Sequence, residues 1–344
     1  MQLSHFEALK PICPVCLLAG RPEARLRILH VERGNSHRID EGALGCTACQ
    51  FEYPILDGIP LIMANVRDVV RSQLPGLLQR DDLSPYAASL FGDCAGPDSE
   101  FERDRYRIGA YAHAHWSDAP HGAGPLTHAA LALAPNPDGV WLDIGCSLGR
   151  SAVELVRAGA GIVAALDLNL GMLRAFAQLL RTGKLRYDLR RVGVVYDRRE
   201  LTIELPTDAH ERIAVWACDA LALPFAAGTA QGTLSINLID CMQFPVNHLI
   251  EASRVMASGA HLVLSSPFDW SPMATPFEAW IGGHSARGPL AGSSSAELER
   301  ILGPSDPGKL GLRLTGTSES AWAVHVHERA TMQYRAFLAA ARKL

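Results

Sequence analysis

Residues 139–169 read GVWLDIGCSLGRSAVELVRAGAGIVAALDLN, and the reading of this stretch decides the fold. Val140, Trp141, Leu142 and Ile144 make a short apolar run of buried-strand character. Gly145 and Gly149 bracket a tight turn, after which Ser151–Ala158 sets Ala152, Val153, Leu155 and Val156 on one helical face. Gly159 and Gly161 stop that helix, and residues 161–166 form a second strand ending at Asp167. Strand, turn, helix and strand in this order predict a mostly parallel α/β sheet. A turn with no side chain at Gly145 and Gly149 lets a ligand approach the backbone. An acid closing the second strand can hold two ribose hydroxyls.

The spacing is not the G-x-G-x-x-G of a dinucleotide site. Here the order is Asp143-x-Gly145-x-Ser147-x-Gly149, with an acid inside the first strand and small residues at every second position. It resembles motif I of class I S-adenosylmethionine-dependent methyltransferases. The downstream chain continues the pattern. Residues 169–181 form an amphipathic helix with Met172, Leu173, Phe176, Leu179 and Leu180 inward. Residues 186–205 read as an inserted β-hairpin around Asp197-Arg198-Arg199. A third strand, residues 212–218, leads into Asp219-Ala220-Leu221-Ala222-Leu223-Pro224-Phe225. Residues 232–239 form a fourth strand, with Asn237 at the carboxyl edge where open α/β sheets bind ligands. A helix (247–256) and a fifth strand ending at Ser266 follow; residues 312–344 supply the remaining strands and a last helix over 332–343. The expected architecture over 126–344 is therefore a Rossmann-like, mostly parallel seven-stranded sheet with helices on both faces.

The resemblance implies S-adenosylmethionine as cofactor and suggests who would hold it. Gly145, Ser147 and Gly149, with Cys146 between them, face its methionine side, and Asp143 its amino group. Asp167 takes the ribose with Leu168 beside it, Asp219 and Ala220 the adenine, and Asn237 faces the methyl or its acceptor. Cys146, Cys218 and Cys241 lie near strand ends, where buried core thiols are the plainer reading.

Residues 1–66 read as a separate unit. Cys13-Pro-Val-Cys16 and Cys46-Thr-Ala-Cys49 are two C-x-x-C knuckles that can present four thiolates tetrahedrally, a closed and hence structural zinc shell. With the run Tyr53-Pro54-Ile55-Leu56-Asp57-Gly58-Ile59-Pro60-Leu61-Ile62-Met63, they resemble the small zinc-ribbon proteins that activate tRNA, rRNA and release-factor methyltransferases. Residues 67–125 form a helical linker and cofactor lid: residues 66–78 have helical periodicity interrupted by Pro75, and residues 81–99 are rich in Pro, Gly, Asp and Ser. Residues 101–116 then gather Tyr106, Tyr111, His113, His115 and Trp116 ahead of the nucleotide fold, either as substrate-site groups or as a packed helix with surface histidines.

Composition sets the bounds. The 344 residues have room for one large domain and a smaller one, and the formal charge of −4 attracts no polyanion overall. The hairpin arginines interleave with Asp188, Asp197 and Glu200, which favours a solvated face over a nucleic-acid patch. No apolar leader or membrane-spanning run is present, and eight cysteines without export signals point to metal ligands and buried thiols in the cytoplasm.

A second resemblance is finer. The hairpin, Asn237-Leu238-Ile239-Asp240, Ser266-Pro267-Phe268-Asp269-Trp270-Ser271, Thr275-Pro276 and Trp280-Ile281-Gly282-Gly283 together are similar to the C-terminal methyltransferase domain of ovothiol synthases, which methylates a ring nitrogen of a mercaptohistidine. A zinc ribbon stands where those enzymes carry sulfoxide-synthase domains, and the family tyrosine near Phe268 is replaced. The resemblance implies a small-molecule acceptor, imidazole-like or amino-acid-derived, with Tyr111, His115, Asn237, Asp240, Asp269, Trp270 and Trp280 as substrate-site candidates. No catalytic base is assigned, and the oligomeric state is open. Two other readings remain: an RNA or protein methyltransferase whose ribbon grips the macromolecule, and a non-catalytic zinc-ribbon scaffold that binds the cofactor.

Overall fold

The computed structural model describes residues 1–66, 97–118, 121–134, 136–303 and 310–344. Most of the helix expected over 66–78 and the linker over 81–99 lie outside the described residues. The N-terminal unit holds helices α1 (Leu3–Leu9) and α2 (Pro14–Leu18) and strands β1 (Leu26–Gly34), β2 (Ile39–Cys46), β3 (Glu52–Leu56) and β4 (Ile59–Ile62). Helices α3 (Glu100–Trp116) and α4 (Ala123–Ala132) precede the nucleotide fold. Then come β5 (Val140–Ile144), α5 (Arg150–Ala158), β6 (Ile162–Asp167), α6 (Leu170–Thr182) and the hairpin β7 (Lys184–Val192) and β8 (Val195–Thr202). The chain finishes with α7 (Ala209–Arg212), β9 (Ile213–Cys218), β10 (Ala230–Ile236), α8 (Pro245–Val255), β11 (Met256–Ser266), α9 (Ser294–Leu302), β12 (Leu312–His327) and β13 (Ala330–Lys343).

The main sheet runs β1-β2-β3-β4-β9-β6-β5-β10-β11-β13-β12. Its seven strands from β9 to β12 are the expected Rossmann-like core: β9, β6, β5, β10 and β11 are parallel, and β13 is antiparallel to both neighbours. Alternation along these strands sends side chains to opposite faces. Trp141, Val163 and Val215 pack with α3–α6 and the hairpin. Leu142, Ile144, Leu166 and Trp216 pack on the other face with the N-terminal unit, α8 and α9. Both faces are covered, so the central strands are mostly buried along their length rather than alternately buried and exposed.

The N-terminal unit does not hang free. Strand β4 pairs in parallel with β9, Leu61 opposite Ala217 and Ile62 opposite Cys218, so its strands extend the methyltransferase-type sheet. Ile12 N–H donates to the Pro224 carbonyl at 2.8 Å, and Arg174 pairs with Asp57 at 2.7 Å.

Two local expectations are corrected. The helix expected over 332–343 is strand β13: its alanines are buried between β11 and β12, and sheet context overrides their helical propensity. The hairpin turns at Gly193 rather than at Asp197-Arg198-Arg199; Gly193 supplies the positive φ of +55°, and Asp197 pairs with Leu189 inside the ladder.

Candidate active site

The turn after β5 is left-handed three times: Gly145 has φ +79°, Ser147 +50° and Gly149 +74°. At Gly149 a side chain would also collide, since a Cβ there would lie 2.1 Å from the buried Phe176 ring. Leu166 C=O anchors the turn by accepting from Gly145 N–H at 2.8 Å and Cys146 N–H at 2.9 Å. The Asp167 carboxylate accepts from Ser147 N–H at 2.9 Å and from Asn169 N–H at 2.8 Å, so it shapes the turn as well as closing β6. Burial pushes its carboxyl above the ordinary value against those two donors.

Asp143, in β5, is 1% exposed. Its Oδ2 accepts from Ser151 Oγ at 2.6 Å, while Oδ1 has no partner among the described residues. Burial, opposed by the Ser151 bond, pushes its carboxyl up to about 7. A buried, unpaired carboxylate oxygen is costly unless a ligand donates to it. The cofactor's amino group is such a donor. Leu168, beside Asp167, is 42% exposed, an apolar surface fit for a base to lie on. Asp219 accepts from Leu221 N–H at 2.8 Å at the end of β9, beside Ala220. The donor set, the bare turn and the orphaned oxygen therefore fit S-adenosylmethionine. When bound, it supplies an already activated methyl group, leaving the protein to orient the acceptor and exclude water.

Asn237 sits past β10 with φ +49°. Ser265 fixes it on both sides: Asn237 N–H donates to Ser265 C=O at 2.9 Å, and Ser265 Oγ donates to Asn237 Oδ1 at 2.8 Å. That leaves its buried Nδ2 without a partner among the described residues. Asn237 borders a cavity of about 240 Å³ shared with Tyr106, Tyr111, Asp240, Cys241, Pro267, Asp269, Trp322, Val324, Val326, Met332 and Tyr334. Burial pushes Tyr111 and Asp240 up, and burial with the neighbouring carboxylates takes Cys241 to about 12.

The structure thus brings Tyr111, Asn237, Asp240 and Asp269 to one cavity. The other candidates stand elsewhere. His115 is buried behind Trp322, its Nδ1 accepting from Arg150 N–H at 3.4 Å, and burial with Arg150 nearby takes it down to about 3. Trp270 and Trp280 stack on each other at 6.1 Å; Trp280 lines a separate cavity of about 490 Å³ with Val246, Ile250 and Leu290. Trp322, Met332 and Tyr334 escaped the sequence reading. They form one rung system of the β12–β13 ladder, Trp322 opposite Tyr334 and Val324 opposite Met332. The alternation Trp322-x-Val324-x-Val326 was the available signal.

The four N-terminal sulfurs converge. All lie within 4.8 Å of one another, with Cys13 and Cys49 at 3.7 Å and Cys16 and Cys46 at 3.8 Å. A tetrahedral ion with bonds of about 2.3 Å needs ligand sulfurs about 3.8 Å apart. Backbone N–H groups of Ala48 and Cys49 point at Cys46 Sγ (3.3 and 3.4 Å), and against burial they hold that thiol down at about 7.

Residues 142–264, from β5 to β11, match the family described as the methyltransferase domain. No curated protein matches the sequence. Similar solved structures include the complex of the Haloferax volcanii Trm112 methyltransferase activator with a methyltransferase (14% identity, 69% of this chain and 93% of that one, TM-score 0.43). A methyltransferase from Bacillus halodurans is 13% identical over 63% of this chain and 98% of its own (TM-score 0.41). Geranyl diphosphate methyltransferase is 15% identical over 64% and 77% (TM-score 0.42). The matched segment and the strand order give the chain an S-adenosylmethionine-dependent methyltransferase domain of the class I fold.

Proposed function

We propose that the chain transfers a methyl group from S-adenosylmethionine to a nitrogen of a small molecule, imidazole-like or amino-acid-derived, and that Cys13, Cys16, Cys46 and Cys49 hold a structural Zn²⁺. The observation that carries this reading is the cavity at Asn237. At about 240 Å³ it is smaller than the roughly 300–1,000 Å³ of sites for drug-sized ligands, and it has room for a single ring with a short tail. The acceptor's lone pair displaces the sulfonium in line, so a neutral ring nitrogen needs no prior deprotonation. Positioning is then the protein's main task, which suits an aromatic cage held by two long strands.

Three of the hairpin's arginines are held by its own carboxylates. Arg186 pairs with Glu200 at 2.5 Å, Arg191 with Asp197 at 3.3 Å, and Arg198 with Asp188. These arginines are already neutralised rather than offered to phosphate.

The test is calorimetric titration with S-adenosylhomocysteine, followed by a screen of imidazoles and thiol-histidines with a labelled methyl donor. Micromolar binding, weakened at least about tenfold by Asp219→Ala or Asp167→Ala, together with labelling of a small acceptor, is the expected result. No binding by folded wild-type protein sinks the proposal. Labelling of RNA or protein alone moves the acceptor to a macromolecule.

A further inference from the structure

Two carboxylates line the acceptor cavity, and the opposing charge that acts on it, Arg107, lies outside the lining. Asp240 and Asp269 line it, and no lysine, arginine or histidine does so among the described residues. Asp240 is 2% exposed; its Oδ2 accepts from Asp269 N–H at 2.8 Å, while Oδ1 has no partner among the described residues. Tyr334 O–H donates to Asp269 Oδ2 at 2.9 Å, which fixes the second carboxylate at the rim. Arg107, on the helix that supplies Tyr106 and Tyr111, faces Asp104 at 3.6 Å and does not line the cavity.

A buried carboxylate needs a donor, and a charged one serves best. Aromatic faces around it add attraction for a cation and repel an anion. We infer that the cavity selects acceptors bearing an ammonium group, whose N–H seats on Asp240 Oδ1 with Asp269 as second counter-charge and with the body of the molecule against Tyr111, Trp322 and Tyr334. The inference rests on the methyl-transfer reading of this site and narrows it: neutral and anionic rings of the same size are poor ligands. Asp240 acts as an anchor, distinct from the nitrogen that is methylated.

The experiment uses the full chain saturated with S-adenosylhomocysteine, titrated by calorimetry with benzylamine, benzyl alcohol and benzoate, and with histamine and imidazole-4-acetate. The cations are expected to bind at least about tenfold more tightly than their neutral or anionic counterparts. Asp240→Asn and Asp269→Asn should each erase most of that preference, and Tyr334→Phe, at the rim, should reduce it about threefold. S-adenosylhomocysteine affinity should stay within about twofold in all three. If Asp240→Asn does not fold, Asp269→Asn and Tyr334→Phe carry the same test. Equal or tighter binding of the neutral or anionic rings overturns the inference. So does failure of every cation to bind the loaded wild type, or an unchanged preference in the variants. Failure of the wild type to bind S-adenosylhomocysteine overturns the methyl-transfer reading instead.

Discussion

Asp143 is a single buried residue that weakens the cofactor-free fold. Moving its carboxyl from the ordinary 3.8 to about 7 costs the ionised folded state up to about 4 kcal/mol. Between those values the native state holds a proton that the unfolded chain has lost. Stability of the cofactor-free protein therefore falls as pH rises from about 4 to about 7, and levels off above. Asp143→Asn should flatten that slope and raise the melting temperature at pH 8, while weakening S-adenosylhomocysteine at least about tenfold; thermal scans across pH and calorimetry check both arms. Gly149 is constrained twice, by its left-handed backbone and by Phe176. Gly149→Ala should cost roughly 2–4 kcal/mol in urea unfolding. Both residues were legible as a pattern of acids and small side chains. Ser151 and Ser265, which hold Asp143 and Asn237 in place, were not, because a hydroxyl acting across strands leaves no local periodicity.

The helices and the parallel strands followed from apolar periodicity and glycine stops, and the inserted hairpin from its two β-rich runs. The last strand did not. Met332-Gln-Tyr-Arg-Ala-Phe-Leu-Ala-Ala-Ala-Arg-Lys is helical by propensity, and only pairing with β11 and β12 makes it extended. That one misreading hid Tyr334 and Met332, two of the twelve residues lining the cavity at Asn237. The hairpin is docked by charge: Arg105, on α3, reaches Asp188 at 2.9 Å and lies over the Tyr196 ring at 4.2 Å. Gly109 admits it, since a Cβ there would strike the Asp188 carbonyl at 1.9 Å. Without Asp188 the buried Arg105 still has Glu102, at 3.5 Å, so Asp188→Ala should destabilise by roughly 1–3 kcal/mol. Hydrogen exchange should report that loss first in β7 and β8.

On the scale of the whole molecule the unit carrying the four-cysteine cluster and the methyl-transfer fold share one sheet. The spacing of the four cysteines suggested a self-contained ribbon, and nothing in that spacing foretold β4 against β9. Cys46→Ser should therefore do more than lose about one Zn²⁺ per chain by elemental analysis. It should lower the melting temperature of a single unfolding transition that includes the methyltransferase fold, rather than melt the N-terminal unit alone.

The β4–β9 pairing has one more consequence. Residues 1–66 are joined to the rest by main-chain hydrogen bonds and buried side chains as well as by the peptide chain itself. Covalent continuity then adds effective concentration to contacts that the sheet already makes. Two polypeptides, one ending after β4 and one beginning before α3, would carry between them every strand of the sheet, so co-expression of the two halves is expected to rebuild it as a complex that co-purifies.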